Sequence, residues 1–252
     1  METLFIGRQR FTLDETASTN TFALDLLHNG KLKEGALVVT HKQTQGRGQQ
    51  KNSWESEPGK NLTLSIVLFP AFLAVSDQFA LARITSLAVA AMAEELLKDS
   101  GIQIKIKWPN DIYAGNKKIA GILIENVLRD HTIGATVVGI GLNINQLSFQ
   151  SAPQAISLAT LAGKEFDLTY CEEMLCGYLE AFYLKLRAGK QQTIETDYHN
   201  KLYRLNELHG FISEGELFQA KITGVSDQGK LKINRSGGNE VQYDLKQIAF
   251  VI

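Results

Sequence analysis

The sequence predicts an α+β fold in two parts, a mixed β-sheet flanked by helices and a small C-terminal β-barrel. In the first part, strand-like apolar runs are interspersed with amphipathic helical stretches. From residue 208 onward, short strand-like runs alternate with Asp-Gln-Gly and Ser-Gly-Gly-Asn turns, which is typical of a small barrel. The length of 252 residues suits one large and one small domain. We therefore predict a domain boundary that separates residues 1–207 from residues 208–252.

Hydrophobic periodicity and capping residues define the elements in order. Ser18 or Thr19 can cap a first helix that runs through Leu27. Residues 77–98 form the longest predicted helix, because their apolar positions recur at helical spacing. The predicted strands of the first part cover 10–16, 36–41, 61–69, 102–108, 118–126 and 136–145. Further helices are predicted over 169–186 and 192–205, and barrel strands over 217–225, 229–234, 240–245 and 247–251.

Composition excludes several classes of protein. The net charge of −1 at pH 7 argues against a general binder of nucleic acid or anionic membranes. No apolar run is long enough to cross a membrane and the start lacks a signal-peptide pattern, so we expect a cytoplasmic protein with no membrane partner. Cys171 and Cys176 lie five residues apart on a helix that Thr169 and Glu172 are expected to open as a capping box. At that spacing the two thiols point apart, so neither a disulfide nor a metal pair is expected.

Four stretches are unusual for structure alone, and the first is QGRGQQKNSW at 45–54. Gly46 and Gly48 let the backbone approach a ligand closely, and Arg47 offers a planar fork of donors suited to a carboxylate or phosphate. Trp54 can stack on a flat ring. A lone Gly-x-Gly is a weak signal, however, and a plain surface loop with an arginine explains the stretch equally well.

The second stretch is KWPNDIYAGNKKIAGILIE, from Lys107 onward. Pro109 fixes the backbone after a tryptophan and is expected to place Asn110 and Asp111 at the end of a strand. Lys118 begins the return strand of a hairpin, and the small Ala-Gly pair that follows leaves room for an anionic group of a ligand. The alternative is a hairpin with a solvated lysine pair and a structural Asn-Asp turn.

The other two stretches are GIGLNIN at 139–145 and the triplet Ser18-Thr19-Asn20. Two glycines weaken a strand interior, which suggests a bulge or a ligand lying on the backbone, and Asn143 can then bind the edge of a purine or an amide. A simple bend of the strand is the competing explanation. The triplet needs no function beyond capping a helix, but its hydroxyl and amide groups also suit a small polar ligand.

Other chemistries have less support. The five histidines are scattered and form neither HxxxH nor HExxH, so a histidine-based metal site is not expected. There is no Gly-x-Ser-x-Gly motif, and neither cysteine has the local context of a nucleophile.

Taken together and in this order, the four stretches resemble the biotin protein ligase family. The matching text is DETASTN, KQTQGRGQQKNSWESEPGKNLTLS, KWPNDIYAGNKKIAGILIE and GIGLNIN, and the C-terminal part resembles the family's SH3-like barrel. The resemblance extends from about Phe11 to Val251 and implies the fold of the class II synthetases and biotin ligases. Two departures stand out, because many relatives carry arginine at the position of Gln49 and glycine at the position of Lys51.

The resemblance implies an ATP-dependent ligase that activates biotin as biotinyl-5′-AMP and transfers it to a specific lysine of a biotin carboxyl carrier domain. Biotin and ATP are then substrates, Mg²⁺ is the activating ion, and a carboxylase carrier is the protein partner. Only about ten residues precede the motifs, so the N-terminal DNA-binding domain of the larger family members is expected to be absent and DNA is not an expected partner. A homodimer is left open. The alternatives are a lipoate–protein ligase and a non-catalytic biotin-sensing protein.

The resemblance also implies a role for each site residue. Biotin's own carboxylate is the nucleophile of the first step, so the protein has to supply positive charge and donors around the α-phosphorus. The 45–54 loop is then a lid that excludes water from a labile acyl-adenylate. The implied catalytic residues are Lys118, Arg47 and Asp111, with Asp111 also a Mg²⁺ ligand. The implied biotin contacts are Ser18, Thr19, Asn20, Gln43, Arg47, Gly48, Gln49, Lys118 and Gly121, and the implied ATP or adenylate contacts are Gly46, Trp54, Asn110 and Asn143.

Overall fold

A seven-stranded mixed sheet forms the centre of the protein in the computed structural model, which describes residues 2–49, 52–235 and 238–251. The strand order is β1-β2-β3-β7-β6-β5-β4, with β1 and β2 parallel and the other neighbours antiparallel. The strands are β1 (Arg10–Thr16), β2 (Ala36–Gln43), β3 (Leu62–Leu68), β4 (Ile104–Lys107), β5 (Asp111–Ala114), β6 (Lys117–Arg129) and β7 (Thr132–Leu142). The predicted mixed sheet is therefore confirmed.

Helices cover both faces of this sheet. Successive residues of a strand point to opposite faces, so on β2 Leu37 packs into the larger core cluster and Val38 packs into the smaller one with Ala23 of the first helix. All of β3 is buried because both faces of the sheet are covered at this strand. The helices are α1 (Thr19–His28), α2 (Phe79–Leu96), α3 (Leu158–Ala162), α4 (Leu168–Arg187) and α5 (Gln191–Asn200). In the part of the chain that the structure describes, no helix is long and apolar enough to cross a membrane.

A second, five-stranded antiparallel sheet follows in the order β11-β10-β9-β8-β12, as the SH3-like barrel prediction required. It packs on the first part through Trp108, whose indole N–H donates to the Gly229 carbonyl at 2.8 Å. Arg83 of α2 donates to the Ser226 carbonyl at 3.0 Å in the same turn. The strands are β8 (Leu208–Ser213), β9 (Glu216–Val225), β10 (Leu231–Arg235), β11 (Glu240–Tyr243) and β12 (Ala249–Phe250). The division of the chain into domains at residue 208 stays a prediction.

The predicted capping box of α4 is wrong. Asp167 is the N-cap, and its side chain accepts a hydrogen bond from the Tyr170 amide at 2.8 Å. Glu172 instead points into the protein and pairs with Arg10 of β1. Burial raises the pKa of the Glu172 carboxyl, against the opposing effect of Arg10. Sequence spacing alone could not reveal this partner, which is 162 residues away in the chain.

The two cysteines are buried, and neither forms a disulfide, as predicted. Burial raises the pKa of the Cys171 thiol to about 11 and that of the Cys176 thiol to about 12. The nucleophile in cysteine chemistry is the thiolate, so these two thiols are inert at neutral pH.

Candidate active site

Three glycines form the floor of a cavity of about 360 Å³ over β6 and β7. Gly121 pairs with Gly141 in register, and Gly139 lies two residues away on the same face of β7. A Cβ atom at Gly139 would overlap the Asn20 amide, and one at Gly141 would overlap the Trp54 indole. The pairing of β7 with β3 and β6 is regular through these residues, so the bulge suggested for this stretch is wrong. The glycines are there because side chains pack directly on the strand backbone.

Uncharged donors and acceptors cluster at one end of the cavity. The backbone N–H of Thr19 donates to Gln43 Oε1 at 2.9 Å. The Ser65 hydroxyl on β3 lies 2.6 Å from Asn20 Oδ1 and 2.8 Å from Thr19 Oγ1. Ser18 is the N-cap of α1, as predicted, and lines the same end. The structure therefore brings the four predicted residues of this end together in a neutral, hydrogen-bonding arrangement.

The other end of the floor carries charge. Lys118 Nζ lies 2.6 Å from Asp111 Oδ1, and the two side chains are 30% and 21% exposed. The ammonium also lies 5.7 Å from the centroid of the Trp54 ring. Asn110 donates to the Ile122 carbonyl at 2.8 Å and lines the cavity. The expectation that Asp111 ends a strand is wrong, because Asp111 is the first residue of β5 after a turn.

A β-bulge brings Lys118 to the cavity. Tyr113 pairs with Lys118 and Ile112 pairs with Ala120, so the register between β5 and β6 shifts by one residue. In a regular strand, residues 118 and 121 would point to opposite faces. The extra residue of the bulge reverses this alternation, and both Lys118 and Gly121 line the cavity.

The 45–54 loop folds back on itself over the cavity. The Trp54 amide donates to the Gly46 carbonyl at 2.9 Å, and the Gly48 amide donates to the Asn52 carbonyl at 2.7 Å. A Cβ atom at Gly46 would collide with the Trp54 carbonyl, which explains the need for glycine there. Gly48 and Gln49 line the cavity. Lys51, the second departure from the family pattern, lies outside the described residues.

Arg47 lies at the cavity wall with its guanidinium turned towards the neutral end. Its Nη2 atom is 3.1 Å from Thr21 Oγ1 and 3.2 Å from Glu125 Oε2. Glu125 also accepts a hydrogen bond from Asn20 Nδ2 at 2.7 Å. Sequence analysis assigned no role to Glu125 or to Ser65, although Glu125 ends the conspicuous KIAGILIE stretch and Ser65 is the polar interruption of an apolar strand.

The C-terminal segment of the barrel, which includes β12, forms part of the cavity wall, and the sequence analysis did not predict this. Leu245, Ile248, Ala249 and Phe250 all line the cavity. Opposite them, Lys107 Nζ lies 5.1 Å from the Phe250 ring centroid and 3.2 Å from the Tyr113 hydroxyl. Burial lowers the pKa of Lys107, although nearby Asp111 acts in the opposite direction.

Two predicted residues do not line the cavity. Asn143 is 1% exposed, and its amide donates to the Ile156 carbonyl at 3.3 Å and towards the Lys118 carbonyl at 3.5 Å. It supports the hairpin from behind rather than facing the cavity. Gly46 contributes its backbone to the loop. Adenylate contacts by these two residues stay predictions.

The residues present do not build a metal cage. Within residues 2–49, 52–235 and 238–251, no three His, Cys, Asp or Glu side chains are grouped to hold a metal ion. Asp111 is a carboxylate at the cavity wall, and it is paired with Lys118. Mg²⁺ is commonly held by one or two carboxylates together with substrate phosphates and water, and Asp111 fits that limited role.

A family model, together with the fold, defines the class of protein to which this chain belongs. Its structure superposes on the biotin protein ligase of Aquifex aeolicus, solved with biotin and ATP, with a TM-score of 0.78. The alignment covers 96% of this chain and 98% of that one, at 24% sequence identity. The model of the biotin/lipoate A/B protein ligase family matches residues 13–143. The chain belongs to that family.

Named relatives are consistent with this assignment. The bifunctional ligase/repressor BirA of Bacillus subtilis is 34% identical over 172 residues, which are 66% of this chain and 51% of that protein. The biotin–[acetyl-CoA-carboxylase] ligase of Mycobacterium tuberculosis is 27% identical over 231 residues, which are 91% of this chain and 85% of the relative. The chain thus spans about half the length of the Bacillus relative and most of the mycobacterial one.

Proposed function

We propose that this protein is an ATP-dependent ligase that joins biotin to AMP and then transfers the biotinyl group to a lysine of a biotin carboxyl carrier domain. The observation that carries the proposal is the two-ended cavity. Neutral donors and acceptors lie at one end of a glycine floor, with the mutually paired Arg47 and Glu125 beside them, and the Lys118–Asp111 pair lies at the other end. Biotin has the complementary shape, with a neutral ureido head, an apolar body and an anionic tail.

In this proposal the head of biotin binds at the end where α1 begins. Thr19, Asn20 and Gln43 supply amide and hydroxyl groups that match a urea, which both donates and accepts hydrogen bonds. The body of the ligand then lies along the glycine floor, where the missing Cβ atoms leave space. Ser18, Gly48, Gln49 and Gly121 complete the wall along this path.

The carboxylate of biotin is then placed beside Lys118. A carboxylate oxygen attacks the α-phosphorus of ATP, the bond to the bridging oxygen breaks, and pyrophosphate leaves. Lys118 stabilises the negative charge that develops at the α-phosphate, which is the role that preorganised cations play in such transfers. The predicted catalytic role of Arg47 requires its guanidinium to turn from Thr21 and Glu125, which it contacts in this structure, towards the phosphate. Asp111 orients Lys118, and it is also the wall residue that can share Mg²⁺ with the phosphates. Trp54 and Asn110 would hold the nucleotide, and the predicted adenine contact of Asn143 requires a rearrangement of that side chain.

In the second step a neutral lysine amine of the carrier attacks the biotinyl carbonyl. The amide bond forms, AMP leaves, and the amine loses its proton. The name of the mycobacterial relative points to a carboxylase carrier as the acceptor. We propose a cytoplasmic location for this protein, as the sequence analysis predicts. The homodimer stays open, and the absence of DNA binding stays a prediction.

The test is a set of three incubations with ATP and Mg²⁺, containing biotin, lipoate or neither, in which pyrophosphate release is followed. We expect pyrophosphate release only in the incubation that contains biotin. AMP should be released once a carrier domain is added to that incubation. Pyrophosphate release with lipoate in place of biotin would identify the protein as a lipoate–protein ligase. Biotin binding by calorimetry without pyrophosphate release would instead identify a non-catalytic biotin sensor.

A further inference from the structure

Glu125 joins the 45–54 loop to the neutral end of the cavity through a single carboxylate. Its Oε2 atom accepts from Asn20 Nδ2 at 2.7 Å and from Arg47 Nη2 at 3.2 Å. Its Oε1 atom lies 3.5 Å from the same Arg47 nitrogen. One side chain on β6 therefore contacts a residue of the loop and a residue of α1.

Asn20 is fixed independently of Arg47. Its Nδ2 atom also lies 3.2 Å from the Leu123 carbonyl, and its Oδ1 accepts from the fully buried Ser65 hydroxyl at 2.6 Å. The amide packs on Gly139 so closely that a Cβ atom there would overlap it. Asn20 therefore holds the Glu125 carboxylate in place, and the carboxylate in turn holds the more exposed arginine.

We propose that Glu125 is a positioning residue for Arg47 in biotin binding. The guanidinium has five N–H donors in a rigid fork, and the contacts to Thr21 and Glu125 use its Nη2 corner. Within the described residues, no side chain or carbonyl accepts from its Nε or Nη1 atoms. Anchoring one corner thus orients the remaining donors for a ligand. That this ligand is biotin rests on the proposed function. The contacts among Asn20, Glu125 and Arg47 are independent of that function.

The expected effect is on binding and not on stability. Arg47 and Glu125 are 46% and 30% exposed, and ion pairs of this kind contribute little to folding. Glu125→Gln removes the negative charge that attracts Arg47, while an amide oxygen in the place of Oε2 still accepts from Asn20 and can accept only a weaker, uncharged hydrogen bond from Arg47. Glu15→Gln is a matched control, since Glu15 forms an exposed ion pair with Lys42 at 2.6 Å on another strand of the same sheet.

The experiment measures pyrophosphate release with E125Q, R47A, the double variant and E15Q, together with hydrogen–deuterium exchange of residues 46–54 without ligands. We expect E125Q to raise the KM for biotin about tenfold, as for one lost charge-assisted hydrogen bond, and to leave the KM for ATP and the thermal midpoint unchanged. The loop should exchange faster in E125Q. In the R47A background, adding E125Q should have no further effect, and E15Q should behave as wild type.

A biotin KM for E125Q within about twofold of wild type would overturn the inference, and so would an equal effect of E125Q with and without Arg47. If E125Q does not fold, E125D replaces it in the same cycle. A KM increase that disappears in the R47A background supports the proposal, and one that persists overturns it. If wild-type protein releases no pyrophosphate with biotin, the proposed function fails, while the exchange comparison still tests the coupling.

Discussion

At the scale of single residues, Lys118 shows how the cavity acquires its charge. Its ammonium is paired with Asp111 at 2.6 Å and faces the Trp54 ring, so it is held by an anion and an aromatic face together. The neighbouring Lys117 is exposed, and its ammonium lies 3.1 Å from the Pro153 carbonyl. The two adjacent lysines therefore have different environments: Lys118 lines the cavity, and Lys117 does not.

Lys118→Ala is expected to abolish adenylate formation without unfolding the protein. Removing a charged contact to the transition state typically costs about 3–4 kcal/mol, or roughly a hundred- to a thousandfold in rate. The measurement is pyrophosphate release by the folded variant, with Lys117→Ala as the matched control. A Lys118→Ala rate within about tenfold of wild type would show that the assigned role is wrong.

Gly141→Ala is expected to disturb the active site through Trp54. The added methyl group would overlap the indole, which has to move off the strand. Inserting a methyl group into a packed site costs about 1–3 kcal/mol, so we expect kcat/KM for biotin to fall roughly ten- to a hundredfold. Gly238→Ala is the control, because its Cβ atom would make only ordinary contacts. Unchanged kinetics and unchanged tryptophan fluorescence in Gly141→Ala would contradict this account of the glycine floor.

At the scale of elements, the 45–54 loop combines a local hairpin-like fold with little apolar anchoring before Trp54. Its own hydrogen bonds join Gly46 to Trp54 and Gly48 to Asn52. Its contact with the sheet depends on the exposed Arg47–Glu125 pair and on the half-buried Trp54. Segments with few buried contacts open at low free-energy cost, which suits a lid.

Limited proteolysis with trypsin tests whether this loop closes over ligands. We expect cleavage after Arg47 and Lys51 in the protein alone and protection when biotin and ATP are added, because the bound adenylate gives the loop a surface to pack against. Cleavage after Lys31, in an exposed turn, serves as the internal control. Equal cleavage of the loop with and without ligands would contradict the lid hypothesis.

At the scale of the whole molecule, the barrel is bound to the large sheet through buried polar contacts. Arg83 is 6% exposed, and it donates to the Ser226 carbonyl at 3.0 Å and lies 3.5 Å from Asp227. Trp108 contacts the same turn through Gly229. The barrel that these contacts attach also supplies Ala249 and Phe250 to the cavity wall.

Arg83→Met is expected to destabilise the whole protein by about 2 kcal/mol, since it leaves the Ser226 carbonyl without its charged donor while keeping most of the apolar stem. Urea unfolding measures the change. Arg129→Met, at an exposed arginine, is the control and should have almost no effect. If both variants unfold at the same urea concentration, the Arg83 contact does not stabilise the barrel's attachment.

We also expect this chain not to bind DNA specifically. DNA-binding proteins draw much of their affinity from lysine and arginine at phosphates, and here 26 basic residues face 27 acidic ones. A gel-shift titration with DNA from around its own gene, in the presence of biotin and ATP, is the measurement. Sequence-specific binding that persists at raised salt would reveal a regulatory activity.

By itself, the sequence determined the element types, the α+β class, the barrel and the family, because periodicity, turn residues and local motifs are read along the chain. It also indicated most of the cavity residues, since Gly46–Trp54 and Lys107–Gly121 are continuous stretches. Only the tertiary structure decided that Lys118 and Gly121 share a face, because a one-residue bulge reverses the strand alternation. Only the tertiary structure joined Glu125 to Asn20 and Arg47, and Glu172 to Arg10, because these contacts link residues far apart in the chain. Local sequence patterns do not predict such partners, because the contacts arise only when the folded chain brings distant residues together.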